Sequence, residues 1–315
     1  MSAPTGNGMI GTARDRLGDV VFRRLALVAG VTILVALAAV AVFLVAQSIP
    51  AFLADPSELR GEPESFWHYV APLAFGTVWA AALALLMAIP LSIGIALFIS
   101  HYAPRRLAQP LGYIVDLLAA VPSVVYGLWG ITVLAPAAVP FYIWLTDNLG
   151  WFPLFAPPAS GTGRTVLTVA IVLAVMVLPI ITALCREVFV QTPVLHEEAA
   201  YALGATRWEV IRMTVFPYAR SGIVSASMLG LGRALGETMA VAMVLSPSAI
   251  ISLAILTPEN PSTIAANIAL NFPESAGLQV NALIATGLIL FVITLVVNSI
   301  ARAIVSRHER ALESR

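Results

Sequence analysis

Arg233 and Glu237 stand inside an apolar stretch running from about residue 223 to 246, in the block Gly230-Leu231-Gly232-Arg233-Ala234-Leu235-Gly236-Glu237-Thr238-Met239-Ala240-Val241. Inserting an arginine at the centre of a membrane-length helix costs ~2.5 to 3.5 kcal/mol, so ionisable residues at that depth mark a functional position by default. On a continuous helix the two charges fall one turn apart on one face, where they partly neutralise each other. Ala226 and Gly230 extend that face. A stripe that is small, small, basic and acidic suits the wall of a polar pathway. The competing reading is structural: a packed interface whose ion pair only lets the helix sit in hydrocarbon. Gly232 and Gly236 form a G-x-x-x-G step on an adjoining face, the spacing that permits close helix packing. Asp116, Ser123 and Asn298 are further polar residues in apolar stretches, each read as an interhelical hydrogen-bonder.

A second charged block, Glu197-Glu198-Ala199-Ala200-Tyr201-Ala202-Leu203-Gly204, lies in a loop bearing arginines, between two membrane-length apolar runs. Glu197 to Leu203 are strong helix formers and Gly204 follows where a helix would stop, so the spacing predicts a short helix there. Thr206 is then an N-cap, with Glu209 three residues on completing a capping box for a second helix over 207–215. Pro217 is expected to break that second helix before the chain re-enters the membrane. Two short helices at an angle would present Glu197, Glu198, Tyr201 and Leu203 to a partner. The alternative is a helix resting on lipid headgroups, but such helices favour Lys and Arg on their polar face, and this one opens on two acids.

Those blocks must be carried by membrane-spanning elements. The 315 residues are 59% hydrophobic and 11% charged, with a mean hydropathy of +0.92, which excludes a water-soluble globule. Apolar runs near 25–46, 73–99, 112–135, 165–185, 223–246 and 281–303 are each long enough to cross a bilayer core, which takes roughly 20 helical residues. The expectation is an all-α integral membrane protein of six spans. Pro122, Pro136 and Pro140 predict a kink or a shortening in the third. The first run follows paired arginines, as a secretion signal would, but Leu25 to Ala46 is too long for a cleaved h-region.

All seventeen basic residues are arginine. Arg14, Arg16, Arg23 and Arg24 precede the first run, and Arg105 and Arg106 separate the second and third. Arg186, Arg207, Arg212 and Arg220 lie in the fourth loop, and Arg302, Arg307, Arg310 and Arg315 follow the last run. By the positive-inside rule these regions are cytoplasmic and both termini are inside. The alternate loops carry only Arg60 and Arg164, with Trp67, Trp144, Trp151 and Phe152 as an outer aromatic belt. The organisation is then a cytoplasmic tail over 1–24, a first span over 25–46 and an extracytoplasmic segment over 47–72. A transmembrane domain follows over 73–305, with a cytoplasmic loop at 186–222, and a tail over 306–315. Ile264, Ala265 and Ile268 at helical spacing predict a short lid helix on the outer membrane surface. Cys185, the single cysteine, is read as a small buried apolar residue. A Walker A loop needs a lysine on the phosphates, and the chain has none, so ATP binding would fall to another polypeptide.

Glu198-Ala199-Ala200, then Gly204, then Pro217, resembles the EAA signature by which permease subunits of ATP-binding-cassette importers dock onto their ATPase. Thr214 and Phe216 stand where that pattern has Ile and Leu. Gln191-Thr192-Pro193 before this block, Ala120-Val121-Pro122-Ser123-Val124-Val125-Tyr126-Gly127-Leu128-Trp129-Gly130, the Gly230 to Val241 block, and Gly287 to Thr294 occur in the order found in one family. Together they resemble the PstC permease subunits of bacterial phosphate-specific importers, from about residue 17 to 305. The resemblance implies the type I ABC importer permease fold in the bacterial inner membrane. It implies ATPase coupling through Glu197, Glu198, Ala199, Ala200, Gly204 and Pro217, and a substrate pathway at Arg233 and Glu237. It further implies a PstA-like second permease subunit, two copies of a PstB-like ATPase carrying ATP and Mg, and a PstS-like phosphate-binding protein. This chain would bind no cofactor, metal or nucleic acid. A guanidinium offers planar donors to phosphate oxygens, and Glu237 would temper the attraction. A permease for sulfate or molybdate would share the EAA loop but not the Gly230 to Val241 block. An ion-coupled secondary transporter would need no docking loop, and a membrane scaffold or sensor would need no charged midplane.

Overall fold

The computed structural model describes residues 17–55, 58 and 63–313. Arg14, Arg16, Arg60 and Arg315 lie outside them, as do most of the tail over 1–24 and parts of 47–72 and 306–315. The described chain is helical: α1 (Leu17–Leu53), α2 (Phe66–Leu97), α3 (Arg105–Ala119), α4 (Ser123–Trp129), α5 (Ala135–Leu149), α6 (Val166–Val190), α7 (Val194–Ala202), α8 (Arg207–Val210), α9 (Phe216–Leu235), α10 (Met239–Val244), α11 (Ile264–Asn271) and α12 (Leu278–Glu313). The segment to residue 47, which holds most of α1, forms one compact unit and residues 48–315 another. Five helical stretches are long and apolar enough to cross a membrane: Gly18–Leu53, Phe66–Tyr102, Ser123–Leu149, Val166–Val190 and Leu278–Ala303.

Within the second unit, α2, α6 and α9 form the core. Lipid tails give no hydrophobic drive for helix association, so close approach of small residues supplies the packing. Ala80, Ala81, Ala84, Ala88 and Ala96 of α2 are buried in this core with Ala226 and Ala234 of α9. Ser92 Oγ donates to the Leu178 carbonyl at 3.1 Å, joining α2 to α6. Ser65 and Thr165 cap α2 and α6 by accepting from the backbone N–H of His68 and Thr168.

Three π turns, Phe98–Tyr102, Gly130–Leu134 and Ile211–Val215, each end two residues before a proline: Pro104, Pro136 and Pro217. Proline cannot donate to the carbonyl four residues back, and its ring crowds that carbonyl. At Pro136 and Pro217 the widened turn absorbs both effects without ending the helix, whereas at Pro104 the helix ends and Ala103 and Pro104 are extended. Pro217 therefore does not break the second loop helix. Residues 207–235 run on as α8, a π turn and α9, with Pro217 in the first turn of α9.

Two of the expected runs are interrupted. The run at 112–135 breaks at Ala120-Val121-Pro122, because the residue before a proline is pushed out of the helical region. Beyond the break, helical structure runs on to Leu149. Ala135 already packs against Gly163 beside the start of α6, and the Tyr142 hydroxyl pairs with Thr168 Oγ1 at 2.9 Å, so α5 lies across that end of α6. The run at 223–246 breaks at Gly236-Glu237-Thr238, between α9 and α10.

The helix expected near Ser262 to Leu270 exists as α11, capped by Thr263. Its first turn is anchored in the core. Ile264, Ala265 and Ala266 are buried, and the Ile264 N–H donates to Thr77 Oγ1 of α2 at 2.9 Å. Asn260, fully buried, organises the preceding segment. Its Oδ1 accepts from Val166 N–H at 3.0 Å, and its Nδ2 donates to the Arg164 carbonyl at 3.0 Å and the Pro258 carbonyl at 3.1 Å.

Candidate functional site

The loop between α6 and α9 is built by local rules. Pro193 precedes α7, which begins at Val194, one turn earlier than its acidic block suggests. Glu197 thus falls in the first turn, where a carboxylate complements the helix dipole. Gly204 ends the helix at φ +85°. Its N–H donates to the Tyr201 carbonyl at 2.9 Å, and that of Ala205 to the Ala200 carbonyl at 3.1 Å, a Schellman closure. Thr206 and Glu209 then form the reciprocal capping box. The Thr206 N–H and hydroxyl donate to Glu209 Oε2 at 2.7 and 2.8 Å. Those hydrogen bonds, backbone first, hold the Glu209 carboxyl below the usual carboxylate range.

The loop residues face different ways. Glu198, Ala199, Gly204 and Pro217 are exposed, whereas Ala200 is buried. Leu203 is 91% exposed and Leu195 76%, with Val194 and Tyr201 beside them. These side chains make an exposed apolar patch on an otherwise polar loop. Glu197 departs from the expected display. It turns inward to His101 at the end of the α2 π turn, with Oε1 3.6 Å from Nε2. Beneath the loop, Phe189 of α6 meets Phe216 edge-on at 6.2 Å between ring centroids, and Phe216 meets Trp208 at 6.3 Å.

Arg233 and Glu237 do not share a helix face. Arg233 lies in the last turn of α9, and Glu237 in the break that follows. Glu237 is buried, and its Oε1 accepts from the Ala240 N–H at 3.0 Å, capping α10. Among the described residues no ion pair joins Glu237 to Arg233. Arg233 is half-buried and near enough to Tyr126 of α4 to act on it electrostatically. The depth of the pair follows from Gly230, which abuts Ile181 and Leu85 near the middle of α6 and α2. Arg233, three residues on, sits roughly 4.5 Å farther along the axis, and the helix break lies just beyond. Gly232 has no atom within 4 Å of where a Cβ would stand, so the G-x-x-x-G face packs against nothing among the described residues.

Other residues carry roles that spacing did not signal. Arg164 caps the far end of α10, donating to the carbonyls of Leu245 at 2.9 Å, Val244 at 3.3 Å and Met243 at 3.4 Å. Asp116 of α3 pairs with Arg186 of α6 at 3.4 Å. Ser123 and Asn298 make no side-chain hydrogen bond among the described residues. His101, Arg164 and Asn260 act on partners distant in sequence and belong to no motif, so nothing local could have flagged them.

Residues 88–310 match the family described as binding-protein-dependent transport system inner membrane component. The phosphate transport system permease protein PstC 2 of Mycobacterium tuberculosis is 47% identical over 299 residues, covering 92% of each chain. The chain belongs to the PstC permease family. The PstC protein of Mesorhizobium japonicum is 42% identical over 305 residues, covering 93% of this chain and 92% of its own. Among solved structures, an inward-facing form of the MetNI methionine ABC transporter superposes with a TM-score of 0.48 at 17% identity. It covers 75% of this chain and 93% of that one, a likeness too slight to argue from. Membership makes the chain a multi-pass permease of the bacterial inner membrane with the type I ABC permease fold. It is one part of a transport system with other subunits, and a transport component, not a catalytic enzyme.

Proposed function

We propose that this chain forms half of a phosphate translocation pathway in an ATP-driven importer and docks a separate ATPase through residues 186–222. The observation that carries the pathway is the interruption at Gly236-Glu237-Thr238, midway across the helical core. Irregular backbone at membrane depth is tolerated only where protein buries it or where it lines a cavity. Here the guanidinium of Arg233 has no carboxylate partner among the described residues, and the neighbouring Gly232 and Gly236 face is open. A guanidinium free of a carboxylate can offer paired donors to a tetrahedral oxyanion. The relatives named as phosphate transport permeases supply the choice of anion.

On this reading a PstA-like subunit closes the pathway across the open face of α9. Two PstB-like ATPases carry ATP and Mg and engage Glu198, Tyr201 and Leu203. A PstS-like protein delivers phosphate from outside, and this chain itself holds no cofactor. Both termini are cytoplasmic, so reporter fusions at Ser160 and Pro258 should read outside and those at Arg106 and Ala205 inside.

The test is uptake of labelled phosphate by the assembled complex in proteoliposomes, with sulfate and molybdate as competitors. Uptake that requires ATP and a loaded binding protein, and that excess sulfate or molybdate leaves unchanged, supports phosphate. Uptake abolished by either competitor would move the chain to another oxyanion.

A further inference from the structure

We propose that His101 is the positioning residue that carries movement of the coupling loop into α2, and that it does so only with its imidazole protonated. The proposal rests on residues 186–222 being the ATPase-coupling loop. His101 and Glu197, 3.6 Å apart, have side chains only 15% and 22% exposed, so water screens this contact less than an open surface pair.

The ring is oriented from two sides. Nδ1 lies 2.7 Å from Ser100 Oγ, and the ring stands edge-on to Phe189 of α6 at 6.5 Å between centroids. Ser100 directs its hydroxyl proton to the Ala96 carbonyl at 2.8 Å. Its oxygen therefore accepts from the ring, and Nδ1 is the nitrogen that carries a proton in the neutral form. Nε2 of that neutral ring turns a lone pair toward the Glu197 carboxylate. Only the imidazolium turns an N–H toward it. Protonation thus converts a repulsive contact into an attractive ion pair across 3.6 Å.

Among the described residues no other charged group lies within ion-pair distance of His101 or Glu197. On the elements packed around them, Arg106 of α3 and Arg212 of the Ile211–Val215 π turn are exposed, and Arg186 of α6 pairs with Asp116. Glu187 of α6 accepts from Gln191 at 3.1 Å, and Glu198 and His196 of α7 are exposed. The contact bridges the first turn of α7 to the last turn of the longest core helix. A push on α7 therefore reaches α2 directly, besides the path through α8 into α9.

The experiment measures phosphate taken up per ATP hydrolysed by the complex in proteoliposomes, with the pH varied on the ATPase side across the window where imidazoles change charge, about pH 5 to 8. In the unaltered complex the ratio should fall at least threefold across that window. His101→Arg keeps a permanent cation and should hold the ratio high and flat, while His101→Phe should keep it low throughout, with ATP hydrolysis retained. Changes in phosphate ionisation affect all three alike and cancel in the comparison. A ratio in His101→Phe equal to the unaltered one, or the same pH slope in His101→Arg and the unaltered complex, overturns the proposal. If His101→Phe does not assemble, the comparison with His101→Arg decides. An unaltered complex that hydrolyses ATP in response to loaded binding protein but moves a different anion would refute the substrate, and the same ratio read with that anion would still test His101.

Discussion

Gly127 of α4 lies directly against Ala240 of α10: a Cβ at position 127 would stand 2.9 Å from the Ala240 Cα and 3.3 Å from Met243 Sδ. Two of the sequence blocks that together resemble one family thus meet in one contact in space, and it lies next to the break that holds Glu237. The nearest atom is backbone, so Gly127→Ala forces α4 and α10 apart, and overpacking of this kind costs about 1 to 3 kcal/mol. Gly127→Leu should prevent assembly outright. Thermal unfolding of the detergent-solubilised complex checks both, with Gly94→Ala as the control, since a Cβ there meets nothing within 4 Å.

Gly204 is different, because a Cβ there would also meet nothing and only its φ of +85° matters. A left-handed conformation costs a residue other than glycine roughly 1 to 2 kcal/mol, with Asn tolerated best. Gly204→Val should therefore leave the amount of complex unchanged and reduce phosphate uptake about tenfold, by letting the angle between α7 and α8 drift. Gly204→Asn should retain more than half of the uptake. Equal uptake in the valine and asparagine variants would show that the closure does not transmit motion.

For Arg233 and Glu237 the break in the helix sets distinct expectations. Glu237→Gln keeps the oxygen that accepts from Ala240, so assembly should persist and uptake change only a few-fold. Glu237→Leu leaves a buried N–H unpaired, at a cost of about 1 to 3 kcal/mol. Arg233→Gln should abolish uptake in an assembled complex, and the double change to Gln should remain inactive. A transport-competent double variant, measured beside the quantity of intact complex, would refute a pathway role for the arginine.

Glu209 makes the loop sensitive to acid. Its carboxyl is held below the ordinary range by Thr206, so the folded loop prefers it ionised. That contribution is complete above the unfolded value, about pH 4.3, and is lost as pH falls through the lower folded value. Amide protection at residues 206–210, taken relative to intrinsic exchange at each pH, should fall in acid in the unaltered chain. In Glu209→Gln that protection should be lower at neutral pH and show no such step.

Much of the loop between α6 and α9 was legible from the chain alone because it is written in short-range chemistry. Gly204 three residues beyond Tyr201 and Glu209 three beyond Thr206 close hydrogen bonds within a turn of themselves, so the residue types suffice. The membrane class followed in the same way from composition. The inward turn of Glu197 was not legible, since its partner His101 belongs to another helix.

The spans show where that locality ends. Pro122, Pro136 and Pro217 announce themselves, but whether a proline breaks a helix or is absorbed by a π turn depends on neighbours. The chain interrupts at Pro122 and continues through Pro136 and Pro217. Nothing in Gly236-Glu237-Thr238 requires an interruption, and a continuous helix would have placed Arg233 and Glu237 on one face. Tertiary structure decided otherwise. Freed backbone groups at membrane depth need partners, and here Glu237 supplies one to Ala240 while Arg164, far away in sequence, closes the other end of α10. The sequence determined that opposite charges share one membrane-length apolar run. Only packing determined that they separate, with the carboxylate committed to the backbone and the guanidinium left available.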